Sequence, residues 1–234
     1  MILPLLTALS LASMAPACPP PVDSAGYLCH AIAASDADKF AEAAEHFDKA
    51  AASSPPGDPR TQRMLAAAGN AWIAASQPGK AALSLDRALA GPGLLADQRG
   101  LALLDRARAA EAQGDLKAAR RFATLAGASA SEDPFYWYFS SALAIREGDV
   151  PTAKLAINRA LSLAKDDPAI LFEAGHVAQA EGDMARTRSY WQQAAAADPG
   201  GATGQAARRA LELVDVPLTV KSPGAAAPLP KDKK

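Results

Sequence analysis

The chain has 234 residues, with 24 Lys and Arg against 25 Asp and Glu, and a formal net charge of −1. Half of it is hydrophobic, yet only 6% is aromatic; 59 residues are alanine and 12 are Val or Ile. So few β-branched and aromatic side chains exclude a sizeable sheet, and a balanced charge with no basic block excludes the usual electrostatic footprint of a nucleic-acid binder. Alanine and leucine are strong helix formers, so the expected class is all-α. Each alanine buries little area, and burial is worth roughly 25 cal/mol per Å². Stability must then come from many modest contacts, as in a stacked array.

The first element is the apolar run Ile2 to Ala15. It is shorter than the ~20 residues a membrane span needs, and Ala15-Pro16-Ala17 after it has the small-x-small form of a cleavage site. Residues 1–17 therefore read as a signal peptide, with export to the periplasm or the exterior. No membrane span is expected. Residues 18–23 form a Pro-rich lead. Cleavage would leave Cys18 at the mature N-terminus, and three fates are open to it: lipidation, a disulfide with Cys29 in an oxidising compartment, or a free thiol.

Helical patterns separated by turn signals follow. Gly114-Asp115, Gly148-Asp149 and Gly182-Asp183 recur at 34 residues. Glycine accepts the left-handed conformation that ends a helix, and aspartate caps the start of the next. Small residues recur after each turn, at Ala119, Ala153 and Thr187, then at Ala126, Ala160 and Ala194. Leu103, Trp137 and Leu171 lie eleven residues before the glycines. Two earlier units keep the apolar register with altered turns, Ser35-Asp36-Ala37-Asp38 and Gln77-Pro78-Gly79. The first carries Tyr27, Ala31, Phe40, Ala43, Phe47, Ala50 and Pro55; the second carries Leu65, Ala68, Gly69, Trp72, Ala81, Leu85 and Ala88. The five units begin near residues 24, 62, 100, 134 and 168. An amphipathic stretch at 202–214 closes the array, which spans 24–214. Residues 215–234 are rich in Pro and Lys and are expected to be disordered.

This pattern resembles the tetratricopeptide repeat (TPR), a 34-residue unit of two helices, of the exported bacterial type. The resemblance implies a right-handed superhelical α-solenoid of about five helix–turn–helix repeats plus a capping helix. It also implies a concave face lined by the first helix of each unit. Carried onto this chain, the concave positions are Arg63, Asn70, Leu104, Arg108, Phe135, Tyr138, Phe139, Arg146, Phe172, Glu173 and His176. In the run Phe135 to Phe139, a turn of 100° per residue lets Trp137 face the core while Tyr138 and Phe139 face the groove. Relatives that grip a C-terminal carboxylate use lysines and asparagines; here Asn70 alone matches, with Ala66 and Leu104 where polar groups are wanted.

No catalytic constellation stands out. His30, His46 and His176 are far apart and lack metal-ligand spacing, and Glu111, Glu147 and Glu181 sit at repeated helix ends. No enzyme activity, cofactor or metal is expected. The expected function is a non-enzymatic scaffold or adaptor that takes a peptide or protein segment into its groove through Arg63, Asn70, Arg108, Phe135, Tyr138, Phe139, Arg146, Phe172 and His176. The alternative is a structural subunit of a cell-envelope assembly complex, tethered through a lipidated Cys18.

Overall fold

The computed structural model describes residues 18–215, which are helical apart from the lead at 18–23 and the connections between helices. Residues 1–17, expected to be a signal peptide, and the tail beyond Asp215, expected to be disordered, lie outside the described residues. Eleven helices follow in order: α1 (Ser24–Asp36), α2 (Phe40–Ala52), α3 (Thr61–Ala74), α4 (Pro78–Ala90), α5 (Ala96–Ala112), α6 (Leu116–Ala130), α7 (Pro134–Arg146), α8 (Val150–Leu163), α9 (Pro168–Ala180), α10 (Met184–Ala197) and α11 (Ala202–Asp215). They fall into two compact units, one ending at Tyr136 and one starting at Trp137, so that the division lies inside α7.

One turn recurs at every hairpin. The second residue after the first helix bonds back three residues, and the next bonds back five: Gly114 N to Glu111 O at 2.8 Å and Asp115 N to Ala110 O at 3.0 Å. The same two bonds form at Gly148 and Asp149, and at Gly182 and Asp183. They require a left-handed residue at the turn, and φ is 80°, 75° and 79° at Gly114, Gly148 and Gly182. Asp115, Asp149 and Asp183 then accept from backbone amides in the first turns of α6, α8 and α10. The two altered turns have the same geometry without glycine. Asp38 and Ser76 adopt φ of 56° and 58°, and Lys39 N and Gln77 N bond back to Ala34 and Trp72. A side chain in this region costs roughly 1–2 kcal/mol, partly offset in a glycine variant by its freer unfolded chain. Ser76→Gly is therefore expected to raise stability by about 0.5–1 kcal/mol. A urea midpoint that stays put or falls would show that the turn is not strained at that residue.

Alanines make the crossings in the first unit: Ala43, Ala44, Ala68, Ala81 and Ala109 are fully buried, alongside Trp72 and Leu85. Asp48 ties the layers together. It accepts from the Trp72 indole at 2.9 Å and from the Ser84 hydroxyl at 2.8 Å, with Arg87 at 3.8 Å. The N-terminal lead lies against α1. Cys18 is disulfide-bonded to Cys29, their Cα atoms 5.6 Å apart. His30 Nε2 and the Pro19 carbonyl are 3.0 Å apart, and the Pro20 carbonyl sits where a Cβ on Gly26 would be.

In the second unit, Ala144, Ala153, Ile157, Ala160, Ile170, Ala174 and Val177 form one core cluster, and Leu171, Trp191, Ala194 and Ala207 form another. Gly175 is open to the Trp191 indole, which occupies the space a Cβ would need. The five consecutive aromatics of α7 do not divide as their sequence suggests. Phe139, expected in the groove, is 4% exposed and belongs to the core, while Trp137, expected toward the core, packs half-buried against the Ala144–Val177 cluster. Phe139 shares a helix face with Leu143 one turn on, and Leu143 is completely buried, so that face is the inward one.

Candidate functional site

The first unit carries a cavity of about 500 Å³ lined by α3, α5, the loop before α5 and the start of α7. Arg63, Ala66, Ala67 and Asn70 come from α3; Leu101, Ala102, Leu104, Asp105 and Arg108 come from α5; Leu94, Gln98 and Phe135 complete it. The helical period explains the convergence. Residues 63, 66, 67 and 70 recur at three and four along α3, as do 101, 104, 105 and 108 along α5, so each set makes one stripe. Of the residues expected in a groove, Arg63, Asn70, Leu104, Arg108 and Phe135 are thereby brought together.

Asp105 organises the polar wall. Its Oδ2 accepts from Asn70 Nδ2 at 2.9 Å, and its Oδ1 accepts from an Arg108 guanidinium N–H at 2.9 Å. The Arg108 guanidinium also lies 5.5 Å from the centre of the Phe135 ring, a cation–π distance. Gln98 Oε1 accepts from the Leu95 amide at 3.1 Å, closing half of a capping box at the start of α5. Arg63 is exposed at the rim. It reaches Asp58 through space, but Arg60 already grips that carboxylate at 2.7 Å and holds it down to about 2. The floor is apolar, and Leu101 in it is 53% exposed. A wall of amides and cations over an apolar floor suits a short polypeptide segment.

Asp105 and Gln98 escaped the sequence reading. Asp105 lies three residues before Arg108 on one helix, a spacing that forms ion pairs; that signal was present. Gln98 has only its position at the third residue of a helix, which the capping box favours.

The other expected residues sit in the second unit. Phe172, His176 and Trp191 form an aromatic trio, with ring centres 4.6 Å apart for Phe172 and His176 and 5.4 Å for His176 and Trp191. The Trp191 indole donates to the Phe172 carbonyl at 3.0 Å. Those rings are engaged in packing, and burial lowers the His176 pKa. Tyr138 is half-buried against the Ala144–Val177 cluster, and Arg146 is exposed at the end of α7. Glu173 is 9% exposed, and its Oε1 and the fully buried Ser141 Oγ make no well-formed hydrogen bond among the described residues. Burial pushes its carboxyl up to about 7, with the neighbouring Ser141 hydroxyl and the Arg146 charge opposing. No group of three or more His, Cys, Asp or Glu able to hold a metal occurs among the described residues. No helix among them is long and apolar enough to cross a membrane.

No family model and no curated protein matches the chain in sequence. Solved structures match its fold. PilW, described as a widely conserved type IV pilus biogenesis factor, superposes with a TM-score of 0.64 at 18% identity, over 80% of this chain and 83% of that one. PilF of Pseudomonas aeruginosa gives 0.64 at 17% identity, over 81% and 83%. YrrB, described as a TPR protein with an unusual peptide-binding site, gives 0.56 at 15% identity, over 80% and 92%. The recurring left-handed turns, the alanine crossings and these likenesses agree: the chain has a TPR-like fold, an α-solenoid of helix–turn–helix repeats.

Proposed function

We propose that this chain is a non-enzymatic interaction module that takes an extended segment of a partner protein into the cavity between α3 and α5. The observation that carries this reading is the convergence of Arg63, Asn70, Leu104, Arg108 and Phe135 on one cavity of about 500 Å³. YrrB, of like fold, is described by its peptide-binding site, which supports the same use of this one. We place the protein in an oxidising compartment, the periplasm or the exterior. The Cys18–Cys29 disulfide supports that placement, because such bonds persist there and are rare in reducing cytosol. A lipid tether at Cys18 would need the sulfur that the disulfide uses.

The test is site-specific photo-crosslinking in native cells. A crosslinker at Ala67, inside the cavity, is expected to capture a discrete partner, whereas one at Leu83, 68% exposed on α4, captures none. Arg108→Glu is expected to abolish the Ala67 adduct while leaving the melting curve in place. Identical adducts from both positions, or an Ala67 adduct indifferent to Arg108→Glu, would remove the cavity from the function.

A further inference from the structure

Two side-chain amides in the cavity have their orientation dictated by their partners. An ionised carboxylate only accepts, so Asn70 must turn Nδ2 toward Asp105, as it does at 2.9 Å. Its Oδ1 is left as an acceptor on the cavity wall, with no donor among the described residues. The Leu95 backbone N–H only donates, so Gln98 must turn Oε1 toward it, at 3.1 Å. Its Nε2 is left as a donor that bonds nothing among the described residues. The wall thus offers one acceptor and one donor, the complement of the N–H and C=O on each residue of an extended backbone. The same cavity is lined by the apolar side chains of Leu94, Leu101 and Leu104.

The charges give the site a sign. Asp105 is taken up by Asn70 and Arg108, and Arg63 at the rim forms no ion pair among the described residues, since the Asp58 carboxylate that its charge reaches is held by Arg60. The surplus is therefore positive. The chain's own tail has the wrong sign for it, carrying Lys221, Lys231, Lys233 and Lys234 against Asp232.

We propose that the α3–α5 cavity selects an acidic, apolar extended segment of another protein. Asn70 and Gln98 hold its backbone, the three leucines take an apolar side chain, and Arg63 takes a carboxylate side chain. This rests on the reading that the cavity receives a partner's segment, and it adds the class of segment.

Fluorescence anisotropy on the full chain tests it, with three labelled probes: a peptide of Leu, Ala and Glu, the same peptide with Lys for Glu, and the 216–234 segment. The Glu peptide is expected to bind at least about ten-fold more tightly than the Lys peptide or the tail, with a preference that fades as salt rises. Arg63→Glu is expected to reverse that order. Asn70→Ala and Gln98→Ala are expected to weaken both synthetic peptides while leaving their ratio unchanged. Equal binding of the Glu and Lys peptides, a preference that survives Arg63→Glu, or tightest binding of the tail would overturn the acidic specificity. Any of these would leave the cavity as a peptide site. Failure of all three probes, beside an Ala67 crosslink that still responds to Arg108→Glu, would overturn the peptide class and keep the cavity. Failure of both experiments would overturn both readings.

Discussion

Trp191→Ala is expected to cost about 3–5 kcal/mol, the range for removing a buried aromatic without relaxation of its surroundings. The indole is 2% exposed and fills the space between Leu171, Ala194 and Ala207. Gly175 has no side chain to collapse into the hole, because that glycine is itself the site of closest approach to the ring. The variant also strips the Phe172 carbonyl of its indole donor and leaves the His176 ring without its T-shaped neighbour. Stacked repeats are stabilised mainly by adjacent units, so the loss should concentrate locally. Hydrogen exchange should show amides of α9, α10 and α11 losing protection first, while those of α1 to α4 keep theirs. Leu83→Ala serves as the control, since Leu83 is 68% exposed, and should stay within about 0.5 kcal/mol. Equal urea midpoints for the two variants would mean that the indole does not hold the second unit together.

The solenoid fold was legible in the sequence because its constraints are local and repeat. A hairpin of this kind needs a left-handed residue followed by a helix cap, and Gly-Asp satisfies both at 114, 148 and 182. Where Asp38 and Ser76 take the glycine's place, the turn itself was unreadable, and only the alanine and aromatic register carried the unit through. The cavity was half legible for the same reason. The resemblance implied a concave face that includes Arg63, Asn70, Leu104, Arg108 and Phe135, and these line one cavity. Asp105 pairs with Arg108 at a readable spacing, but its bond to Asn70, 35 positions away, is announced by no local pattern. Gln98 matters because its capping bond fixes which end of the amide is left over. In α7 the sequence misled. Five successive aromatics contain no charged residue to mark the wet side, and the repeat register that sets Trp137 against the core does not say which neighbouring ring joins it. Ser140 and Ser141, both buried, would have argued for the wet side had hydrophobicity been the guide. The two cysteines were left open by sequence alone; a Cα separation of 5.6 Å across the lead and α1 settles their pairing, within the usual span for a disulfide.

Glu173→Gln is expected to stabilise the protein above neutral pH. Burial raises the Glu173 carboxyl from the ordinary 4.5 to about 7 in the folded chain. An acid whose folded pKa is raised binds its proton more tightly in the native state than in the unfolded one. Its contribution is therefore intact below about pH 4.5, declines as pH rises toward 7, and is flat above that. Each pKa unit corresponds to about 1.4 kcal/mol, so the decline amounts to roughly 3–4 kcal/mol. Gln has nearly the same shape and never ionises, so the variant should lose that decline and melt higher than the parent at pH 8. At pH 4.5 the two should coincide. His176 slopes the other way: burial lowers its pKa, so its contribution is present above the ordinary imidazole value and is lost as pH falls through its ordinary and then its lowered pKa. The parent profile alone mixes the two, and the difference between parent and Glu173→Gln isolates the carboxyl. Arg146 supplies a second handle, because its charge favours the ionised form; Arg146→Met should deepen the decline in the parent and have no such effect in the Gln background. A parent and a Glu173→Gln variant whose melting temperatures run parallel from pH 4.5 to 8 would show that Glu173 ionises in the folded chain as freely as in the unfolded one. Its burial between α7 and α9 would then carry no electrostatic cost.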